Sequence, residues 1–454
     1  MDKTNSKIQN PKSKIQNRNV SPARIAAFEI LKKIETENSF TSVLLPIYEA
    51  DLQTKDRALC HELSLGVLRN QIYLDKVIEF LSGKKNEKLD LAVLLSLRIG
   101  LFQILLLDKI PAHAAINESV NLVYRAKKRS AGNFVNAILR RATREKIELE
   151  FADEIDEISI KTSHPRWLCE KWIEQFGLEE MGELVAANNK SPGLIFRLTK
   201  KSDENTFAAL SKIGLEISES EFVNDAWKVS KSNEILRLFA ESGKIYFQDE
   251  ASQLVGQMLN LQENESFIDV CAAPGSKTTF INSKRHTGNT KLFVAGDFYE
   301  HRIRSLRENC IRLDAQNIEF VRYDAEKSMP FADASFDVIL LDAPCSGTGT
   351  IRHNPEIRYF LKPSDFIELS EKQLNILKNA SKLLVKGGRL IYSTCSLERE
   401  ENESVVENFL RGATNFRKVL PNVSERFLTA ENFARTFPGR DGTDGFFIAV
   451  FEKV

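Results

Sequence analysis

The spacing of apolar residues predicts a helical first region. From Ser21 onwards apolar residues recur at helical intervals, and further helical patterns cover 54–82, 89–108, 113–128 and 131–146. No convincing strand pattern interrupts them. We therefore predict an all-helical domain over residues 21–146. Residues 1–20 are polar and contain Ser-Lys-Ile-Gln-Asn twice, so we expect a disordered tail there.

The apolar spacing changes after residue 146. Residues 147–160 are rich in acids and predict a linker, and 161–246 predict a small α+β subdomain. Over 247–454 short apolar runs alternate with helical segments, with strands expected at 267–270, 292–295, 318–321, 338–341, 390–392 and 446–451. This alternation predicts a Rossmann-like α/β domain, in which helices cover both faces of a parallel sheet.

Charge is unevenly distributed although the formal net charge is zero. Residues 1–146 hold 25 Lys+Arg against 15 Asp+Glu, and the basic residues concentrate at 125–129 and 140–144. They flank the apolar stretch 134–139, a pattern that suits a helix with one packed face and one face offered to phosphates. A simple solvated face is the alternative.

Composition indicates a cytoplasmic enzyme. The most apolar stretch, 91–107, is short for a membrane span and carries Arg98, which costs about 2.5–3.5 kcal/mol at the centre of an inserted helix. We therefore predict a buried core helix and no membrane segment. The first residues contain no apolar signal region. Six cysteines without a Cys-x-x-Cys pair predict neither a zinc site nor a disulfide framework.

Two cysteines stand in turns that follow apolar runs. Cys345 lies in Asp-Ala-Pro-Cys-Ser-Gly-Thr-Gly, which begins at Asp342, and Cys395 lies in Tyr-Ser-Thr-Cys-Ser. Strands that end side by side in an open α/β sheet deliver their loops to one crevice. Thiolates are strong nucleophiles, and methylation of cytosine carbon 5 needs a nucleophile that first adds to carbon 6. Asp342 could hold N3 and the exocyclic amine. Most cysteines are merely small buried hydrophobes, and this interpretation suits Cys60, Cys169 and Cys310.

A loop of small residues predicts the cofactor site. It follows Val270 and lacks both the Gly-x-Gly-x-x-Gly spacing and a Walker lysine motif, so dinucleotide or ATP phosphate binding is not expected. Asp297 ends the next predicted strand, where an acid can bind both ribose hydroxyls, and Asp324 can accept the adenine amine. These features predict S-adenosyl-L-methionine as cofactor. The candidate cofactor-binding residues are Cys271, Ala272, Ala273, Pro274, Gly275, Ser276, Lys277, Asp297, Arg302, Asp324 and Asp342.

The chain resembles the RsmB/Sun family of 16S rRNA cytosine-C5 methyltransferases. The motifs DVCAAPGSKT, DAPCSGTGTIRHNPEIRY, GGRLIYSTCS and DGTDGFFIAVFEK carry the resemblance over 247–454, and GNFVNAILR resembles the NusB-type RNA-binding domain. The resemblance implies that Cys395 attacks carbon 6, that Cys345 assists product release, and that 161–246 guide the RNA. It also implies 16S rRNA, free or in an early assembly intermediate, as partner of a monomeric enzyme. Ser276 departs from the family's glycine, which would introduce strain if that position needs a positive φ.

Other functions stay open at this point. A tRNA cytosine could be the substrate, because specificity depends on surfaces that the motifs do not describe. A DNA cytosine methyltransferase would use Cys345 as the nucleophile instead. A non-catalytic RNA-binding factor would need only the helical domain, but it would not need Asp342, Cys345 and Cys395.

Overall fold

The computed structural model describes residues 20–212, 214–284 and 291–454. The predicted disordered tail, except residue 20, lies outside these described residues. The chain forms two compact units, one up to Pro165 and one from Arg166.

The described part of the first unit is helical, as predicted. Its central helix is buried, and Arg98 in that helix is only 4% exposed. The Arg98 guanidinium lies 2.5 Å from Glu35 and 2.7 Å from Asp75, which explains how an apolar helix buries a charge. None of the described helices is long and apolar enough to cross a membrane. The helices are α1 (Pro22–Glu37), α2 (Thr41–Glu49), α3 (Thr54–Arg69), α4 (Gln71–Ser82), α5 (Leu91–Leu106), α6 (Ala112–Arg125), α7 (Gly132–Ala142) and α8 (Glu154–Thr162).

Helix α8 corrects the prediction that 147–160 are only a linker. The Asp153 side chain caps this helix by accepting a hydrogen bond from the Asp156 backbone N–H at 2.8 Å. Glu154, Asp156 and Glu157 occupy its first turn, where acids are favoured by the helix dipole. The acidic residues that suggested a linker thus stabilise the start of a helix.

The second unit contains two sheets with their helices. Its helices are α9 (Arg166–Phe176), α10 (Leu178–Asn189), α11 (Glu204–Lys212), α12 (Glu234–Ser242), α13 (Glu250–Met258), α14 (Ser276–Ser283), α15 (Glu300–Arg312), α16 (Ile357–Phe360), α17 (Pro363–Lys382), α18 (Glu403–Gly412) and α19 (Pro438–Asp441). Its strands are β1 (Leu194–Leu198), β2 (Ile217–Glu219), β3 (Ala226–Val229), β4 (Ile245–Phe247), β5 (Phe267–Asp269), β6 (Phe293–Asp297), β7 (Glu319–Arg322), β8 (Phe336–Asp342), β9 (Leu384–Thr394), β10 (Phe416–Val419), β11 (Ala434–Arg435) and β12 (Phe447–Lys453).

The smaller sheet is antiparallel, in the order β2-β3-β1-β4. The buried side chain of Arg197, on β1, joins this smaller sheet to helix α14. Its guanidinium donates to Gln248 Oε1 and to Thr279 Oγ1, each at 2.8 Å. It also lies over the rings of Tyr246 and Phe280, at 5.1 and 5.5 Å from their centroids. Burial lowers the pKa of Arg197 to about 10, so the group is still charged at neutral pH.

The larger sheet has the order β10-β12-β9-β8-β5-β6-β7, with β11 paired to β12. Strands β7, β6, β5, β8 and β9 are parallel, as predicted. The prediction that the sheet is parallel throughout is wrong, because β12 runs antiparallel to both β9 and β10. A strand buried on both faces shows the same apolar run in either direction, so its sequence does not encode its orientation.

Alternate residues of the central strands pack on opposite faces of the larger sheet. Ile268 and Ile339 belong to one buried cluster, whereas Phe267 and Val338 belong to the cluster on the other face. Such two-sided burial is what places helices on both faces and leaves only the strand ends accessible.

Candidate active site

Four neighbouring parallel strands end at one edge of the larger sheet. Their last residues are Asp297 on β6, Asp269 on β5, Asp342 on β8 and Thr394 on β9. Within this edge Asp342 lies opposite Ser393, and Asp269 lies opposite Leu340. The following loops therefore emerge together, in the position where open α/β sheets bind ligands.

The small-residue loop turns sharply into helix α14. Gly275 caps the helix with φ +102°, a conformation that L side chains rarely adopt. A Cβ on Gly275 would also come within 2.7 Å of Leu306 Cδ1. Ser276 is the first residue of α14 and is not among the residues with positive φ. The departure from glycine at Ser276 thus carries none of the backbone strain considered above.

Asp297, at the end of β6, and Arg302, in α15, hold this loop. Asp297 is 3% exposed and accepts from the backbone N–H groups of Phe298 at 2.8 Å and Ala273 at 3.3 Å. Arg302 Nη1 lies 3.4 Å from Asp297 Oδ2, and Arg302 Nη2 donates to Ala273 O at 2.7 Å. Asp324 follows β7, and its carboxylate lies 3.1 Å from Lys327 Nζ.

A buried ion pair links Lys277, just after the small-residue loop, to Asp342 at the start of the first cysteine turn. Lys277 Nζ lies 2.6 Å from Asp342 Oδ2, and Ser393 Oγ donates to Asp342 Oδ1 at 2.8 Å. Burial alone would lower the pKa of Lys277, but the Asp342 carboxylate outweighs it and the pKa is raised. Lys277 also lies 4.9 Å from the centroid of the Phe446 ring. Its ammonium is thus committed to the Asp342 carboxylate.

The two predicted cysteines meet. Cys345 Sγ and Cys395 Sγ are 3.3 Å apart, and the Gly349 N–H donates to Cys395 O at 2.9 Å. The hydrogen bond with Cys395, together with burial, raises the pKa of the Cys345 thiol well above its usual value. Cys345 therefore keeps its proton.

Other proteins are similar to this chain in sequence and in fold. Residues 256–452 match the family described as 16S rRNA methyltransferase RsmB/F, and residues 21–144 match the NusB family. Residues 164–235 match a ferredoxin-like domain of RsmF/B-like methyltransferases. A probable ribosomal RNA small subunit methyltransferase B of Bacillus subtilis is 33% identical over 443 residues, which cover 95% of this chain and 98% of that protein. The chain belongs to the RsmB family.

Further relatives agree with this membership. The ribosomal RNA small subunit methyltransferase B of Pseudomonas putida is 34% identical over 95% of this chain and 98% of its own. The crystal structure of PH0851 superposes with a TM-score of 0.82 at 26% identity and covers 96% of this chain and 99% of that one. This RsmB-family chain is thus a small-subunit rRNA methyltransferase, with the NusB-like helical domain that the sequence predicted.

The RsmB-family cofactor is S-adenosylmethionine, as expected. One oxygen of Asp269, Oδ1, is buried without a hydrogen-bond partner at the start of the loop, whereas Oδ2 accepts from Thr278 Oγ1 at 2.7 Å. Burial raises the pKa of Asp269 to about 7. An unpartnered buried acceptor beside a glycine turn suits a polar, cationic ligand. Asp269, Asp297 and the loop at 271–276 would hold the cofactor.

Sequence reasoning missed several residues of this site. Asp269 begins the motif DVCAAPGSKT but was not named as a candidate. Its place at the end of an apolar run was the signal that could have indicated its burial. Arg352 is 5% exposed and lies 2.6 Å from both Asp249 and Asp444, which fixes the segment after the Cys345 turn. These three residues are far apart in sequence, so only the fold brings them together.

Proposed function

We propose that the enzyme methylates carbon 5 of a cytosine in 16S rRNA through a transient covalent bond between Cys395 and carbon 6. The observation that carries the proposal is the 3.3 Å contact between Cys345 Sγ and Cys395 Sγ beside the Lys277–Asp342 pair. Carbon 5 of cytosine becomes nucleophilic only after addition at carbon 6, and a thiolate is a suitable adduct former. Two thiols give one group for attack and one for release.

The motif that holds each cysteine supports Cys395 as the nucleophile, because the family uses the cysteine of its Thr-Cys motif for attack and that of its Pro-Cys motif to assist release. The hydrogen bond with Cys395 and burial raise the pKa of the Cys345 thiol, which agrees with a role other than attack. Cys395 Sγ forms the bond to carbon 6, and the electrons of the C5–C6 double bond move to carbon 5. Asp342 accepts a hydrogen bond from the exocyclic amine. S-adenosylmethionine, when bound, supplies the electrophilic methyl group.

Release reverses the addition. The carbon 5 proton passes to water with assistance from Cys345, the C5–C6 double bond forms again, and the bond between Cys395 Sγ and carbon 6 breaks, so that Cys395 leaves as a thiolate. A stacked base cannot reach thiols at a sheet edge, so the expected target is a cytosine in an exposed RNA loop. A monomeric state and a cytoplasmic location stay predictions.

The two cysteine variants test the mechanism because they should fail differently. Cys395→Ala should be inactive and form no covalent complex with RNA. Cys345→Ala should attack and then stall as a protein–RNA adduct that survives denaturing electrophoresis. Cys310→Ala, which removes a buried thiol from α15, is the matched control and should turn over without a stalled adduct. An adduct with Cys395→Ala instead would exchange the two roles, as in a DNA methyltransferase. Bisulfite sequencing of rRNA and tRNA from a strain lacking the gene identifies the cytosine.

A further inference from the structure

A single carboxylate lies beneath both cysteine turns. Glu401 belongs to a short 3-10 helix (Arg399–Glu401) that follows the second turn, and its side chain is 0% exposed. Its contacts are with the residues that directly follow the two cysteines, Ser346 and Ser396. Neither the comparisons nor the proposed reaction gives Glu401 a role.

Each oxygen of the Glu401 carboxylate accepts hydrogen bonds from the cysteine turns or from Gln373, which supports them. Glu401 Oε2 accepts from the Ser346 backbone N–H at 2.9 Å and from Gln373 Nε2 at 2.8 Å. Glu401 Oε1 accepts from Ser396 Oγ at 2.6 Å and from Ser346 Oγ. The two serine hydroxyl oxygens are themselves only 3.0 Å apart. All four donors are neutral, and an ionised carboxylate is the form that accepts all of them.

The carboxylate is itself held firmly. Gln373, on helix α17, also donates to the carbonyl of Pro344, the residue before Cys345, at 2.9 Å. Tyr392 Oη donates to the Glu401 backbone carbonyl at 2.6 Å. The turn at Cys345 is therefore tied to Glu401 on both sides of the cysteine, and the turn at Cys395 is tied to the same group.

We propose that Glu401 is a positioning residue that sets the distance between the thiols of Cys345 and Cys395. This inference rests on the proposed covalent mechanism for its catalytic consequence. It does not rest on that mechanism for its geometry, since the tethers join residues of this chain alone. Hydrogen bonds to a buried charge are stronger than those between neutral groups, so one carboxylate is well suited to hold two loops in register.

The first test measures thiol spacing without any methyl transfer. Diamide accepts two electrons and two protons from a thiol pair, which leaves a disulfide, and the Cys345–Cys395 linkage is quantified by peptide mass spectrometry. Wild type should link rapidly because the sulfurs start 3.3 Å apart. In Glu401→Gln the side-chain amide places N–H groups where the hydrogen-bond donors of the two turns need an acceptor. The two thiols of this variant should therefore link at least about tenfold more slowly. Glu400→Gln, the same change on the neighbouring residue that pairs with Lys171, is the matched control and should match wild type.

The second test measures the catalytic consequence. A misplacement of about 1 Å at a reacting group can lower the rate about a hundredfold. Glu401→Gln should therefore lower kcat by about ten- to a hundredfold with KM for RNA and S-adenosylmethionine unchanged, and Glu401→Asp should recover part of the loss. If Glu401→Gln does not fold, the double variant Ser346→Ala/Ser396→Ala removes the two hydroxyl tethers to Oε1 and should show slower linkage than wild type.

The outcomes separate this inference from the proposed function. If the variants of Glu401, Ser346 and Ser396 that fold show the linkage rate and kcat of wild type, the role of Glu401 is overturned. The covalent mechanism would then stay intact. Slow linkage in those variants, together with no protein–RNA adduct from Cys345→Ala, would support the positioning role and refute the covalent mechanism.

Discussion

Gly275 allows a quantitative test of the cofactor loop. Its φ of +102° lies where a non-glycine residue is strained, at a cost of about 1–2 kcal/mol. The Cβ of Gly275→Ala would in addition lie 2.7 Å from Leu306 Cδ1, and such overpacking costs about 1–3 kcal/mol. The two contributions predict that Gly275→Ala lowers the free energy of unfolding by about 2–5 kcal/mol. They also predict weaker S-adenosylmethionine binding, because the turn that would hold the ligand must shift.

Gly387 supplies the matched control. It has φ +77°, but a Cβ there would have no neighbour within 4 Å. Gly387→Ala should therefore lose only the strain contribution, about 1–2 kcal/mol, and keep wild-type cofactor affinity. Denaturant unfolding and calorimetric titration of both variants give the comparison. Equal stabilities and equal affinities for the two variants would refute the close approach of Gly275 to Leu306.

Two further predictions concern RNA binding and pH. The basic side chains of 125–146 are exposed, so charge reversal at Lys127, Lys128 and Arg129 should weaken RNA binding. Each lost phosphate contact should reduce the log–log salt slope by about 0.7–0.9, and an unchanged slope in filter binding would assign this face to solvent. Asp269 has a folded pKa of about 7, above its usual value, so its contribution to stability is fully present in acid and is lost as pH rises through about 7. Asp269→Asn has no such charge to bury, so its unfolding free energy should fall less than that of wild type between pH 6 and pH 8, and parallel pH profiles would contradict this.

The sequence predicted the strands of the site well but not how their side chains pair. Apolar runs ending in Asp269, Asp297 and Asp342 located the sheet edge, because a buried central strand can be recognised from its own apolar residues. The 2.6 Å pair between Lys277 and Asp342 joins residues 65 positions apart, and no local pattern encodes it. The same holds for Glu401, which accepts from Ser346, a residue 55 positions earlier in the chain.

Strand orientation and helix boundaries were the other failures. β12 was predicted as a strand, but its antiparallel direction depends on how the chain returns to the sheet. In the acidic segment before residue 160, Phe151, Ile155 and Ile158 stand at helical spacing and Asp153 supplies the cap of α8. The density of acids led instead to the prediction of a linker.

The buried guanidinium of Arg197 has a consequence for how substrate is received. A hinge between the small sheet and α14 would pull this cation from Thr279 Oγ1 and from the Phe280 ring, while Gln248 and Tyr246 would stay with it. A hydrogen bond to a charged group contributes about 1.5–3 kcal/mol, so opening such a hinge would be costly. We therefore expect the small sheet and α14 to keep their relative position when RNA binds. Under the proposed mechanism the rearrangement then falls on the RNA, whose target cytosine must unstack.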